Sequence, residues 1–352
     1  MIRKLALTGV TVFPQQETFL FEPGINILVG GNDSGKSHIM RLCYAVCKWS
    51  GGGSRKELPV QWAEEKRLRL DVLRAFGLRD LNALVSRYPH AGAAEVHASL
   101  CGDKTPPGSA EVDFTFPADG EGLSITTMPE RHAAGNAVFL APQEVLSVFP
   151  CYMQVGKRYP ELLDSAGWEL CRALENEPTS PPAPALQHVL VLIEQLLRGK
   201  LVRQSGRFCL QRGTQPPMEL MAEGFKRLGT LGLLVENGTV RQGTTLFWDE
   251  PEMNLNATHL PQLVTILLGL CRAGVQVLLT THSLFLLREL TIQLATDKGR
   301  TVPHRFFGLQ PTADGVRVSA AEQLELLEQP DSLEAEMAQA DRYLSLSNQW
   351  DK

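Results

Sequence analysis

Gly30-Gly31-Asn32-Asp33-Ser34-Gly35-Lys36-Ser37 fits G-x-x-x-x-G-K-[ST], and its flanks supply the context that this pattern requires. Ile25, Ile27, Leu28 and Val29 form an apolar run before it. Ile39, Met40, Leu42, Cys43, Val46 and Cys47 recur at helical spacing after it. Strand, glycine loop and helix in that order make a phosphate cradle. The glycines let backbone N–H groups turn inward around phosphate oxygens, and the new helix aims the positive end of its dipole at them. Lys36 then brings a point charge to the β- and γ-phosphates of a nucleotide, and the Ser37 hydroxyl is suited to ligate Mg²⁺.

A second anchor lies far along the chain. Thr244-Thr245-Leu246-Phe247-Trp248-Asp249-Glu250-Pro251-Glu252 reads as an apolar strand ending in carboxylates. Beside a phosphate loop, Asp249 would hold Mg²⁺ and Glu250 would orient or activate the attacking water. Gln276–Ser283 repeats the arrangement, an apolar strand with polar groups at its C-terminal end, where open α/β sheets bind ligands. His282 at that tip is suited to hydrogen-bond the γ-phosphate and to sense its loss. The strand at 137–141 ends in Pro142-Gln143, and Gln143 is a candidate for the Mg²⁺ or the attacking water.

The rest of the chain is ordinary in composition. Its 352 residues suffice for one large domain or for a core with an inserted lobe. Hydrophobic residues make up 43% and charged residues 21%, as in soluble proteins. The net charge of −5 argues against an overall basic nucleic-acid binder and leaves room for a local basic patch. No apolar run approaches the ~20 residues that span a bilayer, and Met1-Ile2-Arg3-Lys4 leads into a strand-like pattern rather than a signal peptide. Seven cysteines without a Cys-x-x-Cys pair point to a reducing cytoplasm. Cys43 and Cys47 read as small core residues.

Alternation over 1–29 predicts a β-meander feeding the glycine loop. A glycine-rich hinge at Ser50–Gly53 leads to a helical pattern over 61–88 that carries Lys66, Arg67, Arg69, Arg74, Arg79 and Arg87, diluted by Glu64, Glu65, Asp71 and Asp80. That run is a solvated face or a phosphate-backbone contact. Short strands at 95–101, 111–117 and 122–127 predict an antiparallel sheet. Helices are expected at 161–175 and 185–197, joined by a Pro-rich linker, then a hairpin over 200–213 and a helix opening at Met221–Leu228. Two more strands precede an acidic helical tail over 320–352. The chain thus divides into a single domain, 1–352, with an inserted helical piece at 54–92 and a helical and hairpin lobe at 151–220.

Together VGGNDSGKS, LFWDEPEMNLN and LLTTHS resemble the ABC-type ATPase heads of the SMC, RecF and overcoming-lysogenization-defect group, and more narrowly the small bacterial AAA-15/AAA-21 ATPases. The resemblance implies an α/β P-loop NTPase fold, an ABC-type head with an antiparallel β-subdomain and an inserted helical lobe. It implies ATP and Mg²⁺ as cofactors. It gives the Walker A role to Gly30–Ser37, the Walker B aspartate to Asp249, the catalytic glutamate to Glu250, the switch histidine to His282 and the Q-loop to Gln143. Met221–Leu228 matches the signature stretch, which in these families completes the ATP site of a second subunit. Ala222 replaces its serine, leaving the Gly224 backbone for that contact, and Asn254-Leu255-Asn256 lacks the usual D-loop aspartate.

What the resemblance implies about function is an ATP-hydrolysing switch, slow where the signature departs. It would form homo-oligomers through ATP-bound heads and act with a separate effector. Small stand-alone ATPases of this group look like sensor halves of anti-phage systems, such as the ATPase component of PARIS. No heptad insertion of the SMC kind is present, and no acidic cluster of the Toprim kind follows His282. The other reading is a RecF-like DNA clamp, for which Arg67–Arg87 would be the basic strip.

Overall fold

The computed structural model describes residues 1–52, 61–89, 92–102, 110–118, 122–129, 135–159, 163, 165–178, 180–204, 206–211, 220–296 and 299–327, with 338–339, 341–343 and 345 of the tail. The chain opens with β1 (Ile2–Thr8) and β2 (Glu17–Leu20), paired antiparallel. The expected meander stops there. β3 (Ile25–Val29) crosses into a different sheet, because it is buried at every residue and needs cover on both faces. Gly24 permits the crossing: a Cβ there would lie 2.1 Å from the Pro303 carbonyl oxygen.

After the glycine loop come α1 (Lys36–Gly51) and α2 (Gln61–Phe76). The helix expected to reach residue 88 ends at Phe76. Gly77 adopts φ +66°, and the Gly77 and Leu78 N–H groups close the end onto the carbonyls of Arg74 and Leu73 at 3.2 and 2.9 Å. β4 (Ala94–Leu100), β5 (Glu111–Phe116) and β6 (Ser124–Thr127) then extend the first sheet to the order β2-β1-β4-β5-β6, antiparallel throughout.

β7 (Asn136–Leu140) leads into α3 (Phe149–Gly156), α4 (Ser165–Glu175) and α5 (Pro184–Leu197). The sequence reading missed α3, whose eight residues are too few to show a helical period. The expected hairpin is β8 (Lys200–Gln204) with β9 (Arg207–Gln211); its continuation through 212–213 lies outside the described residues. α6 (Glu223–Glu236), β10 (Thr244–Asp249), α7 (Leu260–Arg272), β11 (Gln276–Thr281), α8 (Leu284–Leu294), β12 (His304–Thr312) and β13 (Gly315–Ala321) complete the order. Most of the expected acidic tail lies outside the described residues; within them, β13 continues to Ala321 before a short turn at Leu324–Leu326.

The central sheet has the order β13-β12-β3-β11-β10-β7, with only β13 antiparallel. Its two-residue period divides the core. Ile25, Ile27, Val29, Leu246, Trp248, Val277 and Leu279 pack with α5 to α8, whereas Leu28, Phe247, Leu278 and Phe307 pack with α1, α2 and the antiparallel sheet. Helices therefore cover one face, and a helix pair with a second sheet covers the other.

Gln276 joins the two sheets. It is fully buried, accepts from Ile2 N–H at 2.9 Å and from the Thr245 hydroxyl at 3.2 Å, and donates to the carbonyls of Ile2 and Glu22 at 2.7 and 2.8 Å. Leucine would fill the space and leave those partners unsatisfied. Gln276→Leu is expected to cost about 2–5 kcal/mol, read as a lower urea midpoint; an unchanged midpoint would remove Gln276 as the tie between the sheets.

Candidate functional site

The register of the central sheet assembles the site. Asp249 lies opposite Thr280 and Val29 opposite Thr281, so β3, β10 and β11 end side by side. A ligand bound there meets C-terminal strand ends and the N-terminus of α1 together. Gly35, in the N-cap position at φ +86°, packs so tightly that a Cβ would lie 2.6 Å from Val12 Cγ2. Gly31 has open space where a Cβ would stand, and Asn32 and Asp33 are exposed at the loop's crest. Ser34 is buried and donates to the Gly31 carbonyl at 2.9 Å.

Lys36 is buried, and its ammonium donates to the carbonyls of Gly30 and Gly31 at 2.8 and 2.6 Å. Burial lowers its pKa, opposed by Glu250, Asp249, Asp33 and Glu252. Next to it, the Ser37 hydroxyl donates to Asp249 Oδ2 at 3.0 Å, and the Thr280 hydroxyl donates to Asp249 Oδ1. Ser37 and Asp249, read as partners across 212 positions, thus meet directly. This hydroxyl and carboxylate form a hard-oxygen pair, the donor chemistry that Mg²⁺ takes beside phosphates.

Glu250 turns away from the strand with φ +48°. Its N–H donates to the Thr280 hydroxyl at 3.2 Å, and its Oε1 lies 3.0 Å from His282 Nδ1. His282 is half-exposed, so its ring reaches both Glu250 and the open side of the site. Two residues on, Glu252 accepts from the Thr281 hydroxyl at 2.5 Å, while its Oε2 is buried with no partner among the described residues. Burial raises its pKa.

Gln143 is exposed just beyond β7 and lines a small recess with Glu144, Arg227 and Thr230. Gly224 is buried in the first turn of α6. A Cβ there would lie 2.5 Å from the Asn254 carbonyl oxygen, and the Asn254 amide donates to Glu223 at 2.7 Å. The signature-like turn and the turn after the acidic strand therefore pack on each other within one chain.

Two buried cations on α6 escaped the sequence reading. Lys226 donates to the Ser147 hydroxyl at 2.8 Å and lies 3.6 Å from Glu144. Arg227 donates to the carbonyls of Glu250 and Asp249 at 2.7 and 2.6 Å, with its guanidinium 5.9 Å from the Trp248 ring centroid. Burial brings its pKa down to about 10, opposed first by Glu252. The available signal was a Lys-Arg pair inside the apolar run of Phe225, Leu228 and Leu231.

Beside Ser37 and His38 opens a recess of about 480 Å³, walled by Val12, Arg41, Phe76, Val85 and Tyr88. Phe13 is not part of it, being fully buried against Phe19. A larger cavity of about 680 Å³ runs along β7 away from the loop, and its Tyr44 and Lys48 both donate to its Glu169. The basic run over 66–87 does not form one strip. Arg67 turns inward to Glu64 and the Trp49 ring, Arg87 lines the recess, and Lys66 and Arg74 stay exposed on the helix.

Residues 193–288, from the end of α5 to α8, match the AAA-21 family, described as "AAA domain, putative AbiEii toxin, Type IV TA system". No curated protein matches the chain in sequence. Among solved structures, the SMC head domain from Thermotoga maritima superposes with a TM-score of 0.50 at 14% identity, over 91% of this chain and 99% of that one. An SMC head bound to the C-terminal winged-helix domain of ScpA gives 0.55 at 16% identity, over 92% and 98%. An SMC head with an extended coiled coil, bound to the C-terminal domain of ScpA from Pyrococcus furiosus, gives 0.53 at 15% identity, over 97% and 99%. No described helix is long and apolar enough to cross a membrane. Over nearly its whole length, the chain has the fold of the SMC head domains.

Proposed function

We propose that this protein is an ATP-hydrolysing switch. The observation that carries the reading is the meeting of Ser37, Asp249, Glu250 and His282 at the ends of neighbouring strands, beside a glycine loop and a buried lysine. In this reading the N–H groups of Gly30–Ser37 and the Lys36 ammonium hold the triphosphate. Ser37 and Asp249 hold Mg²⁺, with Gln143 at the same sheet end, and the bound ion would neutralise charge on the β- and γ-phosphates. Glu250 orients and activates water, and His282 steadies Glu250 on the γ-phosphate side. The recess beside His38 takes the nucleoside.

Association of two heads through ATP is supported by the exposed P-loop crest and by Ala222 and Glu223, exposed in the signature-like turn. A separate effector protein is the client, and the family match over 193–288 supports a defence role for the pair. Two of the similar SMC heads are bound to ScpA domains, which supports a protein partner here as well. The division of the basic run over 66–87 disfavours the DNA-clamp alternative.

The reading is tested by the solution mass of Glu250→Gln with and without ATP·Mg²⁺, with Lys36→Ala as control. A doubled mass only with ATP, and only when Lys36 is present, is expected; one constant mass would contradict the switch. The nucleoside assignment has its own test. Ala83 also lines the recess, and Ala83→Trp is expected to weaken ATP binding about tenfold, equal to ~1.4 kcal/mol, while inorganic triphosphate still competes at its wild-type concentration. Equal weakening of both ligands would refute the assignment.

A further inference from the structure

Glu250 has a backbone that needs holding. It is a non-glycine residue at φ +48°, a conformation that costs about 1–3 kcal/mol and persists only when its surroundings impose it. The hydrogen bonds around it show what imposes it. Its N–H is anchored on the Thr280 hydroxyl, and its carbonyl accepts from Met253 N–H at 3.1 Å and from Arg227 Nη1 at 2.7 Å. The second prong of Arg227, Nη2, holds the carbonyl one residue earlier, on Asp249, at 2.6 Å. One rigid, planar fork thus spans two successive carbonyls and fixes the orientation of the peptide between them.

We infer that Arg227 is a positioning residue for hydrolysis: its fork on the Asp249 and Glu250 carbonyls holds Glu250 in the left-handed turn that presents its carboxylate to His282 and to the attacking water. The inference rests on reading Glu250 as the water-activating group. Arg227 has the rigidity that the task needs. It is 4% exposed, it packs over Trp248, and its Nε has no partner among the described residues, so the guanidinium is desolvated for the sake of two backbone contacts. The adjacent Lys226 holds Ser147 and Glu144 beyond β7. A shift of α6 therefore reaches the Glu250 peptide and the segment that carries Gln143 through neighbouring residues, and Gly224 lies in the first turn of the same helix. Contact at the signature-like turn would be transmitted to the water-activating carboxylate through Arg227.

The test uses Arg227→Met, which keeps length and apolar packing on Trp248, and Arg227→Lys, which keeps one donor. Arg227→Met is expected to lower kcat about tenfold or more while the Kd for ATP changes less than about twofold; Arg227→Lys should fall between Met and wild type. Wild-type kcat in both variants, or an equal loss of ATP binding and turnover, would overturn the inference. A crystal structure of either variant gives a readout that does not depend on turnover. Glu250 is expected to leave the left-handed region, and Glu250 still near φ +48° would overturn the inference even if the wild type hydrolyses nothing. A wild type without ATPase activity whose variants do displace Glu250 would instead remove the hydrolytic reading and leave the positioning role standing. Should Arg227→Met fail to fold, Arg227→Lys carries the same kinetic and structural readouts.

Discussion

The carboxylate of Asp249 joins the pieces of this structure. It receives the hydroxyl of Ser37 from the start of α1 and the hydroxyl of Thr280 from the end of β11, and its own backbone carbonyl is held by Arg227 of α6. Three elements distant in sequence converge on this residue of β10 because the parallel register sets Asp249 against Thr280 and β3 against the other edge of β11. A one-residue slip of β10 would turn Asp249 to the other face of the sheet and separate all of them.

The site also concentrates charge in a place with little water. Lys36, Arg227, Asp249 and Glu252 are buried or nearly so, within apolar layers that cover both faces of the sheet. Burial moves Lys36 and Arg227 down in pKa and Glu252 up, each toward its neutral form, and opposite charges restrain the two cations. Backbone carbonyls do much of the compensation. The Lys36 ammonium is held by Gly30 and Gly31, and Nη1 and Nη2 of Arg227 by Glu250 and Asp249, so both cations are positioned with no carboxylate ion pair among the described residues. That leaves the carboxylates free for hydroxyl groups, and the hydroxyl and carboxylate oxygens free for a hard cation.

The glycine loop, the Asp249-Glu250 tip and the His282 tip were legible in the sequence because each is local: an apolar strand that stops at polar groups or at glycines. The antiparallel strands were legible for the same reason. The exit of β3 from the N-terminal sheet was not, since only its partners from residues 276–308 give it cover. Arg227 and Gln276 were missed because they bind backbone groups, which leave no side-chain pattern to read. The basic run on α2 looked continuous because sequence order does not reveal that Glu64 draws Arg67 inward while Lys66 faces out. Gln143 and Gly224 were assigned from resemblance. The geometry adds a second, purely steric reason for glycine at 224, its close approach to Asn254.

The proposed hydrolysis needs the strand tips and the glycine loop to act as one site. The most direct measurement is steady-state phosphate release from ATP·Mg²⁺ by the wild-type chain beside Lys36→Ala, purified identically. The account predicts slow, saturable release by the wild type and loss of at least about 10²-fold on replacing Lys36, whose charge meets the transferred phosphate. No release by the wild type, or release that Lys36→Ala leaves intact, would contradict it.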